Sequence, residues 1–275
     1  MSMMPASQRT ENHTSAAWVI GSIVTLWLAL VLVLGARGDF SRTPGAWPLP
    51  VLIAVATPLL VFLIAFQVSG AMRHFVLTLD LRLVTGIQAW RFGGLAFLAL
   101  YAYGILPGRF AWPAGLGDMI IGASAPWLVV ALTRVSSFAV SRWFVLWNIL
   151  GILDLVVAVS MGAIVSASAI GVPGEITTAP MGQLPLVVIP AFLVPLFVML
   201  HASAVFQARR LKLLHDSGIQ RSRVSGTDDT AAESAAAQSR TERHDDHRAK
   251  PHDRAGASQN HVGEVLCEDL RAVVR

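Results

Sequence analysis

Six apolar runs constrain this chain more than any other feature. They fall at about residues 16–35, 47–69, 87–106, 113–133, 143–170 and 184–207. An α-helix of about 18–20 apolar residues crosses the ~30 Å hydrocarbon core of a bilayer. Lipid offers nothing to an unpaired backbone N–H or C=O, so each run is read as a helix. The expected fold is therefore all-α: a polytopic membrane protein with six transmembrane helices.

Composition agrees with this. Of 275 residues, 54% are hydrophobic and 14% charged, against about 25% charged in soluble domains. The charge deficit is local, which divides the chain into a polar lead (1–15), a membrane domain (16–212) and a polar tail (213–275). The tail is rich in Ser, Ala, Asp, Arg and His. It has too little apolar surface to offset the entropy of ordering and is expected to be disordered. Near its end Val262, Leu266, Leu270 and Val273 recur at helical spacing, a stretch able to dock on a protein partner or the bilayer. The first run follows Arg9 but is longer than a signal-peptide core and contains Trp18 and Trp27, so it is read as an uncleaved helix.

Charge sets the expected orientation. With the N-terminus inside, the inner segments carry Arg9, Arg73, Arg82, Arg134, Arg142, Arg209, Arg210 and Lys212, and the outer loops carry Arg37, Arg42 and Arg109. Eight cations against three predict N-in/C-in topology. Arginine supplies nearly all the positive charge, and Ala, Gly and Val are abundant, a usage typical of GC-rich bacterial coding. The expected location is thus the bacterial inner (plasma) membrane, with the lipid bilayer as the principal partner. The net charge of +4 lies in short loops and at helix ends, where topology signals and lipid head groups account for it, so no nucleic-acid partner is expected.

Catalytic and cofactor motifs are not found. The single cysteine, Cys267, rules out an intrachain disulfide and a cysteine-built metal cluster. His74 and His201 are too few for a three-histidine zinc site and are not placed at matching depth for a haem. No Walker loop or dinucleotide fingerprint occurs. No metal, cofactor or catalytic residue is assigned, and a non-enzymatic role is favoured.

The informative positions are polar groups inside the runs. An ionisable side chain at the membrane centre costs at least about 2.5–3.5 kcal/mol and is a functional candidate by default. At about 1.5 Å rise per residue, Arg91 lies ~6 Å, Asn148 ~8 Å, His201 ~9 Å and Asp154 ~16 Å above the inner boundary. These four form the expected intramembrane polar site. Asp118 lies about 8 Å below the outer boundary, out of easy reach of Arg91, and is grouped with Tyr101 and Tyr103 in a separate outer site. Each has a plainer reading: Asp154 as a structural carboxyl, His201 as a satisfied core histidine, Arg91 as a snorkelling side chain, and Asp118 as a helix N-cap.

Small residues decide the expected packing. Gly93, Gly94, Gly115, Gly117, Gly122, Gly151 and Gly162 let helix backbones approach closely in lipid. The third, fourth and fifth spans should form the bundle centre with the sixth against them, and the first two should face lipid.

The motifs Leu79-Asp80-Leu81-Arg82, Gln88-Ala89-Trp90-Arg91, Leu106-Pro107, Pro113-Ala114-Gly115-Leu116-Gly117-Asp118 and Ala125-Pro126 resemble an uncharacterised family of bacterial multi-pass inner-membrane proteins. Trp147-Asn148, Gly151, Asp154, Thr178-Ala179-Pro180-Met181-Gly182, Leu184-Pro185 and His201 are similar too. The likeness covers about residues 18–210. It implies the topology and carries no activity. The function most consistent with the residues is a small proton-coupled transporter or permease using an intramembrane carboxylate. The alternatives are a non-catalytic scaffold that recruits a partner through its tail, and an intramembrane lipid-modifying enzyme.

Overall fold

The computed structural model describes residues 6–217 apart from Pro44, Ser136 and Asp216, with side chains from Trp18 onward. The expected disorder of the tail and its terminal helix lie outside the described residues.

Seven helices carry the fold, and their ends follow local chemistry. α1 is Ala6–Ala36. α2, Leu49–Val68, enters through Pro48 and Pro50 and continues through Pro58. Proline is tolerated at such an entry because its missing N–H would be unpaired there anyway. α3, Gly70–Thr78, is short and capped by Ser69, whose hydroxyl accepts from the Met72 N–H at 3.2 Å. α4, Leu81–Ala102, is capped by Asp80, whose carboxylate accepts from the Arg82 N–H at 2.8 Å. Its middle, Gln88–Gly94, is wound as a 3₁₀ helix. Gly104, at φ 71°, turns the chain in a conformation natural to glycine. α5 is Gly108–Arg134. α6, Arg142–Ala167, is capped by Ser141. α7, Ile189–His215, opens with a π turn at Ile189–Leu193 that contains Pro190.

All helices but α3 are long and apolar enough to cross a membrane, which makes six such spans among the described residues. No strand occurs among those residues. Around Asp80 the chain runs from the end of α3 through a cap into α4.

Several boundaries differ from the sequence reading, and the starts of α4 and α5 matter most for the site. α4 begins at Leu81 rather than near residue 87, because Asp80 supplies a cap. α5 begins at Gly108 rather than near residue 113: Pro107 ends the turn in extended conformation, and its carbonyl accepts from the N–H groups of Phe110 and Ala111, both at 3.0 Å. Pro113 therefore sits inside the helix instead of starting it.

Burial also departs from the expected order. α1 and α2 are the least enclosed, as expected for lipid-facing helices, but α7 is the most enclosed, and α4 is second. α7 is thus central rather than peripheral. It contributes Val187, Ala191 and Phe192, with the chain just before it, to one apolar cluster, Val194 and Phe197 to another, and Ala204 and Ala208 to a third. One end of the bundle is closed by Phe97, Leu106, Phe110 and Met181, and the other by Val84, Phe144, Ala204 and Ala208. Polar side chains fill the space between.

Candidate functional site

The site grows out of the 3₁₀ stretch of α4. A 3₁₀ helix has three residues per turn, so positions i and i+3 eclipse. Gln88, Arg91 and Gly94 consequently fall on one line, and they are the buried residues of the segment. Thr85, one turn earlier, is also buried. A column of polar groups on α4 thus faces the core and ends at Gly94.

Gly94 lets α5 come close. A Cβ at Gly94 would strike the Cβ of Asp118 and lie 3.1 Å from the Gly115 carbonyl. A Cβ at Gly122 would strike the Phe92 N. The two backbones touch, which is how helices pack where lipid supplies no hydrophobic drive.

This contact places Asp118 against Arg91. The Arg91 Nε donates to Asp118 Oδ1 at 2.7 Å. Its Nη2 donates to Asp154 Oδ2 on α6. Its Nη1 donates to the Gly151 carbonyl at 3.2 Å and meets His201 Nε2 at 3.1 Å. Four of the five guanidinium N–H groups are thereby used. The Arg91 side chain is 0% exposed, while Asp118 and Asp154 retain 14% and 15%.

Asp118 was expected in a separate outer site; instead the geometry places it with Arg91. The reason is helix length. Counted from Gly108, Asp118 is about 15 Å into its helix at 1.5 Å per residue. Counted from Leu81, with the 3₁₀ part rising about 2 Å per residue, Arg91 is about 17 Å into its own. The two meet at mid-depth. Arg91 is not snorkelling and Asp118 is not a cap. Tyr101 and Tyr103 do not join Asp118: Tyr101 packs edge-on to Trp112 with centroids 6.1 Å apart, and Tyr103 is 81% exposed. Asp154, His201, Asn148 and Arg91 lie together, joined through the Arg91 guanidinium and the His201 ring.

The hydrogen bonds fix the state of His201. Arg91 can only donate, so His201 Nε2 must accept and carries no proton. Nδ1 then bears the hydrogen and donates to Asn148 Oδ1 at 2.9 Å. Asn148 is oriented for this by its own Nδ2, which donates to the Phe144 carbonyl at 2.9 Å. His201 is therefore the neutral Nδ1–H tautomer and a positioning acceptor for Arg91. Trp147 packs edge-on to its ring at 5.3 Å between centroids and donates to Ser124 on α5 at 2.8 Å.

Glycines shape the remaining walls. A Cβ at Gly117 would collide with the Asp154 carboxylate, and one at Gly151 with the His201 ring. The sequence marked these glycines as packing positions; that they leave room for charged groups needed the three-dimensional arrangement. Ser124 and Thr178, whose hydroxyl donates to the Gly162 carbonyl at 3.0 Å, were missed because single hydroxyl residues carry no pattern.

A cavity of about 90 Å³ reaches this site. Thr43, Thr177 and Thr178 lie along it on the side of the 37–48 and 168–188 loops, Phe110 and Leu155 line its walls, and Asp118 bounds it within the bundle. One water needs roughly 10–15 Å³ of such space, so the cavity admits several.

Six helices long and apolar enough to cross a membrane enclose an arginine held by two carboxylates, which defines an all-helical protein with a buried charge cluster. Residues 48–209, more than half of the chain and including every residue of the cluster, match the family described as "Domain of unknown function (DUF8737)". The chain belongs to that family. No curated protein and no solved structure matches it.

Proposed function

We propose that this is a proton-coupled membrane transporter whose coupling site is Arg91, Asp118 and Asp154. The single observation behind this reading is the charge count at the cluster. One guanidinium faces two carboxyl groups from two different helices. With all three ionised the cluster carries one negative charge in excess, and uptake of one proton makes it neutral. Buried charge without a counter-charge is strongly unfavourable, so the occupancy of that proton position biases how α4, α5 and α6 pack. That is the link a coupled carrier needs between protonation and conformation.

Two further features support the reading. The cavity gives water a way to Asp118 from the loop side that the charge asymmetry makes periplasmic. In the other direction Gln88 and Thr85 continue the polar column, each with a buried side-chain oxygen that has no hydrogen-bond partner among the described residues. In this conformation the space suits protons and water; a larger solute requires the helices to part. The proposed setting is a bacterial plasma membrane with both termini cytoplasmic.

The test is proton exchange at the cluster. The purified full chain is titrated while the infrared carbonyl band of protonated carboxyl groups is followed. Wild type gains about one buried protonated carboxyl, and Asp154→Asn and Asp118→Asn each lose that signal at unchanged helix content. In proteoliposomes with a trapped pH dye, solute-dependent acidification disappears in the same variants. If both variants keep the infrared signal and the acidification, the proposal is wrong.

A further inference from the structure

We infer that the groove between the start of α6 and the end of α7 binds the head group of an anionic glycerophospholipid. The groove has a volume of about 660 Å³, within the ~300–1,000 Å³ range of small-molecule sites. Arg142 enters it from α6, and Arg209 and Lys212 from α7. No residue lining it is acidic. Among the described residues none of these three cations is in a salt bridge with a carboxylate.

The groove adds a fourth positive element. It sits at the N-terminus of α6, a 26-residue helix, where unpaired N–H groups and the helix dipole favour an anion. The Arg142 guanidinium lies 5.2 Å from the Trp143 ring centroid, which holds it beside the groove. The other wall is apolar: Leu146 and Ile149 follow along α6, both lining the groove and both exposed.

These features select a lipid over a free anion. Three cations and a helix end complement a phosphate. Immediately beside them the wall becomes apolar, on helices of membrane-crossing length, with a tryptophan at the junction as is usual at bilayer interfaces. A soluble anion uses only the first part, whereas a phospholipid uses both. Basic pockets between transmembrane helices bind acidic lipid head groups by this combination.

The experiment uses the full-length protein in neutral detergent with added lipid. Phosphatidylglycerol raises the thermal unfolding midpoint, is retained in native mass spectra, and outcompetes phosphatidylcholine. In the combined variant Arg142→Gln, Arg209→Gln, Lys212→Gln this preference disappears. The single variants Arg142→Gln and Lys212→Gln each weaken phosphatidylglycerol retention roughly fivefold, which keeps the test decisive if the triple variant fails to fold. The control Arg82→Gln with Arg134→Gln removes charge elsewhere and leaves retention intact. The inference is overturned if the single variants retain phosphatidylglycerol as wild type does, if the control lowers retention equally, or if inorganic phosphate reproduces the stabilisation.

Discussion

The spans of α1 (Trp18–Ala36) and α2 are built almost wholly from apolar side chains, yet only 11% of each is buried within the protein, against 56% of α7. α4, the least apolar of the six, is second at 33%. In a water-soluble protein the order would run the other way. Lipid tails are as apolar as leucine, so burying an apolar side chain against protein gains little over leaving it in the bilayer. What draws α4, α5, α6 and α7 together is different: close backbone contact at Gly94, Gly115 and Gly122, and polar pairing around Arg91 that lipid cannot replace. The two regions are therefore held by different forces and should respond differently to mutation.

The largest contrast is expected at Arg91. Arg91→Gln leaves two carboxyl groups without their counter-charge and should lower stability by about 3–5 kcal/mol, measured by thermal or denaturant unfolding in detergent. Replacing Asp118 and Asp154 by Asn in the same chain should recover much of that loss, because no uncompensated buried charge then remains. Equal stability of Arg91→Gln and wild type would contradict the view that the cluster holds these helices.

A pair of glycines compares the regions directly. Gly151→Ala drives a methyl group into the His201 ring and should cost about 1–3 kcal/mol as an overpacked core position. Gly21→Ala in α1 meets nothing within 4 Å and should be neutral or stabilising by up to ~1 kcal/mol through helix propensity. Similar unfolding midpoints for the two variants would remove the distinction between the regions.

Asn148→Ala should have an effect of the same order as Gly151→Ala. It deletes the acceptor of the His201 Nδ1–H and leaves a buried donor unpaired, at about 1–3 kcal/mol. Nitrogen NMR of the imidazole should show loss of the single Nδ1–H tautomer. An unchanged spectrum would mean that Asn148 does not orient the ring.

The smallest effect lies in the loop that follows α6. Glu175 accepts from the Ile170 N–H at 2.9 and 3.1 Å and the Gly171 N–H at 2.7 Å, and these bonds hold its carboxyl below the ordinary range. A depressed carboxyl contributes to loop order above its unfolded value and loses that contribution as pH falls through the folded value. Hydrogen exchange at Ile170 and Gly171, corrected for intrinsic rates, should therefore accelerate on acidification below the ordinary carboxyl range. Glu175→Gln should show that faster exchange already at neutral pH, with the global unfolding midpoint unchanged.

The site was partly legible in advance. Asp154 and Asn148 could be grouped from depth alone, because α6 begins at Arg142, one residue from where its apolar run begins; Arg91 and His201 lie deeper than their runs implied, because α4 starts at Leu81 and α7 extends to His215. Asp118 could not be so grouped, because the depth of a residue is only as good as the helix start it is counted from. Asp80 and Pro107 moved two starts outward, and each adds several residues of rise. The 3₁₀ winding of Gln88–Gly94 had no sequence signature beyond the polar residues themselves. The central position of α7 was hidden because none of the glycines that mark close packing lies on it.

The sequence by itself determined the six spans, since length and apolarity must match a bilayer whatever the packing. It also determined which positions are energetically costly there. The tertiary structure alone decided who answers that cost. A charge in lipid must find a counter-charge, and the partner is chosen by how closely two helix backbones can approach. That distance is set at Gly94, Gly117, Gly122 and Gly151, where the absent side chains of some helices leave the space that the ionic side chains of others occupy.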